Sequence, residues 1–165
     1  MPDNMMLDEG NDDGSDKLSR QALAFFMHVL IALGAWIVLM LIGYAINPAS
    51  VPQMAILLLS ILIPLIAAVF VVRMKPDEMA GHVWLAGLIW LLIVSLWILD
   101  MPTGPNACYQ CSATDKLMRT LFSLPRPSGL IDDNGPIYGT WPAAALFGYA
   151  IGARIALRRR KASEA

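Results

Sequence analysis

Residues 21–46 read QALAFFMHVLIALGAWIVLMLIGYAI, and this stretch decides the class of fold. It contains no Asp, Glu, Lys or Arg, whereas Lys17 and Arg20 precede it and Asn47 and Pro48 follow it. About 26 residues at about 1.5 Å each give roughly 39 Å of helix, which exceeds the roughly 30 Å hydrocarbon core of a bilayer. The stretch therefore predicts a transmembrane helix that crosses with some tilt.

The rest of the chain repeats this pattern. Of its 165 residues, 57% are hydrophobic and only 15% are charged, with a mean hydropathy of +0.57, which is unlike a soluble domain. Further apolar segments cover residues 52–72, 79–99 and 141–157. We therefore predict an all-α, polytopic integral membrane protein with a membrane domain over residues 21–157, built as a bundle of four transmembrane helices.

The two ends of the chain are polar and opposite in charge. Residues 1–20 carry acidic side chains and little apolar surface to bury, so we predict a disordered acidic tail. Residues 158–165 form a basic tail that begins with Arg158 and Arg159. An acidic flank followed by a long apolar run does not resemble a cleaved signal peptide, and the first segment is expected to be retained.

The distribution of Lys and Arg predicts the orientation. With the N-terminus inside, the inner side of the membrane holds nine of the twelve basic residues: Lys17, Arg20, Arg73, Lys75, Arg154, Arg158, Arg159, Arg160 and Lys161. Because inner loops are enriched in basic residues, we expect both termini in the cytoplasm of a bacterial cell. The chain would then lie in the inner membrane, with the loop of residues 100–140 facing the periplasm or the exterior.

Two features inside the predicted helices are unusual. Pro64 removes a helical hydrogen bond to Ser60, so we expect a kink there, with the Ser60 hydroxyl able to help satisfy the freed group. Arg154 lies within the fourth segment, and its guanidinium is expected to extend toward the head groups as an interfacial anchor. A hinge at Pro64 and a buried functional charge at Arg154 are the alternatives.

The outer loop contains a second structural signal. Ser112 begins a pattern that resembles a capping box, and apolar and polar residues then alternate with helical spacing as far as Leu124. We predict a short amphipathic helix on the outer membrane surface, ended by Pro125 and Pro127.

Cys108 and Cys111 lie in the same loop, directly before that predicted helix. In an oxidising compartment the default is a local disulfide, which contributes little stability because it closes a very short loop. A pair of redox-active thiols is the main alternative, since a helix N-terminus favours a thiolate. A link or metal shared between subunits, and thiols with no role, also stay open. The chain itself offers too few ligands in this loop for a zinc site, so we predict no metal.

Four helices with both ends inside, and a C-x-x-C and a surface helix outside, resemble the DsbB family of quinone-reducing disulfide oxidases. The resemblance implies thiol-disulfide exchange at Cys108 and Cys111 with a bound quinone. That family has two cysteine pairs, with its C-x-x-C in the first outer loop, whereas residues 47–51 here contain no cysteine.

Small residues recur every fourth position in the fourth segment, at Ala144, Gly148, Gly152 and Ala156. This spacing puts them on one side of a helix, where they allow a second helix to approach closely. The partner helix could belong to the same chain or to another subunit.

His28 and His82 lie at similar predicted depths in the first and third segments. Two imidazoles at one depth could ligate a b-type haem. The simpler interpretation is that each is a hydrogen-bonded or interfacial histidine, and a role in proton relay is a third.

No complete catalytic set is recognisable, and nothing indicates nucleic-acid binding. The sequence favours a non-enzymatic accessory or assembly subunit of a membrane complex, in contact with lipid and with other subunits or copies of itself. No cofactor is expected on this interpretation, whereas quinone belongs to a thiol oxidoreductase and haem b to a haem protein.

Overall fold

In the computed structural model, the described residues are 12–45, 53–100, 112–114 and 140–164, and they contain helices and no strand. The long helices are α1 (Asp12–Ala45), α2 (Gln53–Met74), α3 (Trp84–Asp100) and α4 (Thr140–Glu164). A 3-10 helix, Glu78–His82, joins α2 to α3. The four long helices match the predicted number.

The helix boundaries differ from the prediction at both ends of the chain. α1 begins at Asp12, so residues 12–20, which we assigned to the disordered tail, continue the first membrane segment as helix. Acidic residues in this first part of the helix interact favourably with its dipole, which explains the extension. α4 likewise continues through most of the basic tail to Glu164. Residues 1–11 lie outside the described part of the chain.

α2 and α4 form the centre of the bundle through an unusually close approach of their backbones. A Cβ atom added at Gly148 would lie 2.9 Å from the Ile61 Cα, and one added at Gly152 would lie 3.0 Å from the Leu65 Cα. Since Gly148 meets Ile61 and Gly152 meets Leu65, a step of four residues on each helix, the two helices run parallel. The two glycines of the predicted small-residue stripe thus lie against α2 of the same chain.

α4 is also the most buried of the helices. Ala143, Ala145, Leu146, Ala150 and Ala153 are all buried, and α3 contacts α4 where Gly87 lies against Ala143 and Leu146. α1 adds Ala32 to the same core cluster, which also includes Ala68 of α2. α4 therefore contacts all three other helices, with Ile151 and Ile155 left exposed.

The outer faces of α1, α2 and α3 are apolar. Three helical stretches, Gly14–Ile42, Leu57–Met74 and Glu78–Trp97, are long and apolar enough to cross a membrane. They suggest a multi-pass membrane protein. α4 is not among them: it combines many small residues, which suit close helix contact, with Arg154 and the basic residues that follow it.

Pro64 lies within α2 and is buried, but the expected role of Ser60 differs. The Ser60 hydroxyl is buried and has no hydrogen-bond partner among the described residues.

The outer loop is mostly outside the described residues. This applies to both cysteines and to the predicted surface helix, apart from Ser112–Thr114.

Gly148→Ala and Gly152→Ala should each destabilise the bundle, because the new methyl group overlaps α2 backbone that no rotamer change can move. We expect each to lower the free energy of unfolding in mixed micelles by about 1–3 kcal/mol, the usual effect of overpacking. Gly34→Ala is the matched control, since its Cβ meets nothing within 4 Å. It should leave stability unchanged or raise it by about 0.5–1 kcal/mol through lower backbone entropy. Equal effects at all three glycines would contradict the close α2–α4 contact.

Candidate functional site

Three polar side chains from different parts of the chain meet within the bundle. His28 of α1 has its Nδ1 atom 2.8 Å from the Tyr149 hydroxyl of α4. Its Nε2 atom lies 3.4 Å from Oδ2 of Asp77, in the turn between α2 and α3. We call these residues the Tyr149–His28–Asp77 chain. It joins α1, the α2–α3 turn and α4 at one end of the bundle, which we call the turn end.

Asp77 is positioned by the local backbone. It is the N-cap of the 3-10 helix, with extended dihedral angles (φ −141°, ψ 122°), and its Oδ1 accepts a hydrogen bond from the Met79 amide at 2.9 Å. An N-cap carboxylate satisfies an amide that the helix leaves without a partner. With one oxygen held by the cap, the other is directed at His28.

One neutral tautomer of His28 suits both of its neighbours. A carboxylate only accepts hydrogen bonds, so this tautomer carries its hydrogen on Nε2, which faces Asp77. Nδ1 is then an acceptor and takes the hydroxyl hydrogen of Tyr149. In that tautomer the Tyr149 hydroxyl donates to Nδ1 of His28, and Nε2 faces the Asp77 carboxylate at 3.4 Å.

Burial makes this chain energetically important. His28 is 6% exposed and Tyr149 is fully buried, whereas the Asp77 side chain keeps 25% of its surface exposed. An unpaired polar group in such a place costs about 1–3 kcal/mol. Elsewhere in the described bundle, the buried Trp36 and Trp84 indole nitrogens have no hydrogen-bond partner. Tyr149 and His28, in contrast, are hydrogen-bonded to each other. The Tyr149–His28–Asp77 chain is therefore a specific polar arrangement within the bundle.

At the turn end, the residues around the Tyr149–His28–Asp77 chain are polar and partly exposed to solvent. The Arg154 Nε donates to the Gly81 carbonyl at 3.2 Å, so this guanidinium contacts the backbone of the 3-10 helix. Lys161 and Glu78 form a longer ion pair of 3.8 Å that is mostly exposed and adds little stability. A shallow cleft of about 160 Å³ opens beside Asp77; its lining residues are Pro76, Asp77, Glu78, Leu157, Arg160 and Lys161.

His82 is placed differently from His28. It is exposed, and its Nδ1 lies 3.2 Å from the Glu78 carbonyl oxygen within the 3-10 helix. It takes no part in the Tyr149–His28–Asp77 chain. Haem ligation by this pair stays a prediction, and it would require His28 to give up one of its two contacts, because an iron ligand must offer a ring nitrogen.

The remaining predicted site residues can be placed as follows. Gly148, Gly152 and the buried Ala156 belong to α4, with Ala144 half-buried on the same helix. Cys108 and Cys111 lie outside the described residues. Within the described ranges, no group of three or more His, Cys, Asp or Glu residues could hold a metal ion.

Sequence reasoning identified His28 but missed both of its partners. Asp77 was visible as an N-cap candidate after Pro76, and Tyr149 as a phenol inside an apolar helix. Each is an ordinary feature by itself, and only the fold brings them to the same imidazole. Comparisons with protein-family models, with curated proteins and with solved structures found no match to this chain.

A double-mutant cycle on His28 and Tyr149 should reveal their coupling. His28→Ala leaves the Tyr149 hydroxyl buried without an acceptor, so we expect a loss of about 1–3 kcal/mol in the free energy of unfolding. The double variant His28→Ala/Tyr149→Phe should lose less than the sum of the single variants, with a coupling of about 0.5–3 kcal/mol.

His82→Ala serves as the control for this cycle, since the removed imidazole is exposed. Its effect should stay within about 0.5 kcal/mol and should add to that of Tyr149→Phe. Strictly additive losses for His28 and Tyr149 would show that the hydrogen bond contributes nothing to stability.

Proposed function

We propose that this chain is a small multi-pass protein of the bacterial inner membrane that serves as an accessory or assembly subunit of a membrane complex. In this proposal both termini are cytoplasmic, and the loop of residues 100–140 is presented on the other side. The chain contacts lipid and other membrane subunits or further copies of itself.

The observation that carries the proposal is the apolar outer face of α1. Large exposed side chains recur along this helix with helical spacing, at Leu23, Phe26, Met27, Leu30, Ile37, Val38, Leu41 and Ile42. α3 has a similar face that includes Leu85, Ile89, Leu92 and Leu96. Faces of this composition require either lipid or another apolar helix. α2 adds a third face with Leu58, Leu62, Ile66 and Phe70. A subunit role explains why a small bundle with a tightly packed centre exposes so much apolar surface.

The arrangement of the ends supports the proposed orientation. His28 lies beside Asp77, and Lys161 lies beside Glu78, so the first part of α1, the α2–α3 turn and the end of α4 meet at the turn end. These are the regions that hold the nine basic residues assigned to the inner side. A single basic end is what the positive-inside rule associates with the cytoplasm.

The two alternative functions gain less support. A thiol-disulfide oxidoreductase depends on Cys108 and Cys111, which lie outside the described residues, so no contact bears on it. A haem protein depends on His28, whose two ring nitrogens both face protein groups. Both alternatives stay predictions.

Reporter fusions test the orientation. Alkaline phosphatase fused after Arg126 should be active, because the enzyme needs an oxidising compartment for its disulfides. Fusions after Lys75 or Ala165 should be inactive, and a cytoplasmic reporter at the same three positions should give the opposite pattern. Phosphatase activity at Lys75 and Ala165 would refute the proposed orientation.

Photo-cross-linking tests the subunit role. A photoreactive amino acid at Leu30 or Ile37 of α1, or at Ile89 of α3, should yield one defined adduct with a membrane polypeptide in living cells. The same polypeptide should co-purify in fixed stoichiometry after mild solubilisation, and it should retain this chain when it is purified itself. Leu62 tests the exposed apolar face of α2 in the same way. Lipid adducts alone at all positions would contradict a subunit role.

A further inference from the structure

α4 is buried along most of its length, and the side chains that it exposes within the bundle lie on one face. Within residues 141–157, the exposed side chains are those of Ile151, Arg154 and Ile155, spaced as i, i+3 and i+4. Arg158 follows one helical turn after Arg154 and is also exposed. We call these four residues the α4 strip. It presents two branched apolar side chains and two guanidinium groups next to each other.

The α4 strip faces away from α1. Successive residues of an α-helix are turned by about 100°, so the strip lies roughly opposite Tyr149, whose hydroxyl meets His28 of α1. The other two long helices that contact α4 are α2 and α3. The strip therefore lies in the space between α2 and α3, where it is open to lipid.

The depth of Arg154 in the bundle is set by its contact with Gly81. Gly81 lies close to the start of the apolar stretch Glu78–Trp97, and the apolar stretch Leu57–Met74 ends at the same end of the bundle. Arg154 is thus near the boundary between hydrocarbon and head groups. Arg158 lies one turn, about 5.4 Å, further toward the head groups, whereas Ile151 lies on the hydrocarbon side.

The backbone of the 3-10 helix holds Arg154 in place. Its Nε donates to the Gly81 carbonyl at 3.2 Å, and its Cγ would lie 3.5 Å from a Cβ atom at Gly81, so the side chain lies across this glycine. That bond uses one of the five N–H donors of a guanidinium and leaves the four on the terminal nitrogens. Within the described part of the chain, neither Arg154 nor Arg158 pairs with a carboxylate. Two guanidinium groups at the membrane boundary therefore require an external counter-charge.

We propose that the α4 strip binds one anionic phospholipid from the leaflet at the turn end. The lipid phosphate accepts hydrogen bonds from the terminal nitrogens of Arg154 and from Arg158, since guanidinium groups match phosphate oxygens. An acyl chain lies along Ile151 and Ile155, which a free phosphate ion would leave uncovered. The inference requires a bilayer, but it depends on neither the proposed orientation nor the subunit role.

The charge of the α4 strip determines which lipids it favours. The nearby carboxylates are already engaged, because Glu78 pairs with Lys161 and Asp77 contacts both His28 and the Met79 amide. The strip itself carries two positive charges. A zwitterionic head group would bring a third cation to this place, whereas an anionic head group such as phosphatidylglycerol brings none. Anionic lipids are therefore favoured over zwitterionic lipids with the same acyl chains.

Native mass spectrometry of the full chain, titrated with lipid in detergent micelles, tests this inference. The probes are phosphatidylglycerol and phosphatidylcholine with identical acyl chains. The wild-type chain should retain one phosphatidylglycerol with about tenfold higher affinity than phosphatidylcholine, which is the effect of one charge-assisted hydrogen bond. Arg154→Gln and Arg158→Gln should each abolish about this much of the preference. Arg158 has no hydrogen bond or ion pair with the described residues, so its replacement should leave the fold intact.

Arg159→Gln is the matched control, because it removes the same charge from an exposed residue that points about 100° away from Arg158. Its preference for phosphatidylglycerol should equal that of the wild type. An equal loss at Arg158 and Arg159 would show that the basic tail attracts anionic lipids without a defined site, which refutes the proposal. Equal retention of both lipids by the wild-type chain would refute it too. If soluble glycerol phosphate displaces the bound lipid as effectively as added phosphatidylglycerol does, the site binds phosphate without using Ile151 and Ile155, and a lipid site is excluded.

Discussion

The approach of α2 to α4 is the constraint on which the other helix positions depend. Gly148 and Gly152 lie so close to the α2 backbone that even a methyl group would overlap Ile61 or Leu65. Between apolar helices in a bilayer there is no hydrophobic force to favour one arrangement, so close backbone contact provides the attraction. Once this pair is fixed side by side and parallel, α1 and α3 can only pack around it.

The position of Tyr149 follows from the same contact. Consecutive residues of an α-helix point about 100° apart, so a helix with Gly148 against α2 turns Tyr149 toward the neighbouring side, where α1 lies. The phenol then meets His28 at 2.8 Å. A glycine that lets two backbones touch thus also directs the adjacent hydroxyl to a histidine on a third element. The packing contact and the polar contact are thus made by consecutive residues of α4, Gly148 and Tyr149.

The helices could be predicted from the sequence, but the polar contacts between them could not. Uninterrupted apolar length predicts helices over residues 21–46 and 52–72, because a bilayer imposes that length. The spacing of Gly148 and Gly152 predicts a close contact, but it does not name α2. His28 was compared with His82 because their depths matched, whereas its partner Tyr149 lies 121 residues away. No periodicity relates residues so far apart, so only the fold could join them.

The polar chain also has a consequence for the register of α1. Apolar side chains of similar volume could stabilise a bundle as well as buried polar groups do. What Tyr149, His28 and Asp77 add is a restriction on the register of α1. Apolar faces slide past one another with little change in contact, whereas His28 can satisfy Tyr149 and Asp77 together at one height only. A shift of α1 by one turn, about 5.4 Å, would break both contacts. The glycines therefore fix α2 against α4, and His28 fixes α1 against both α4 and the turn.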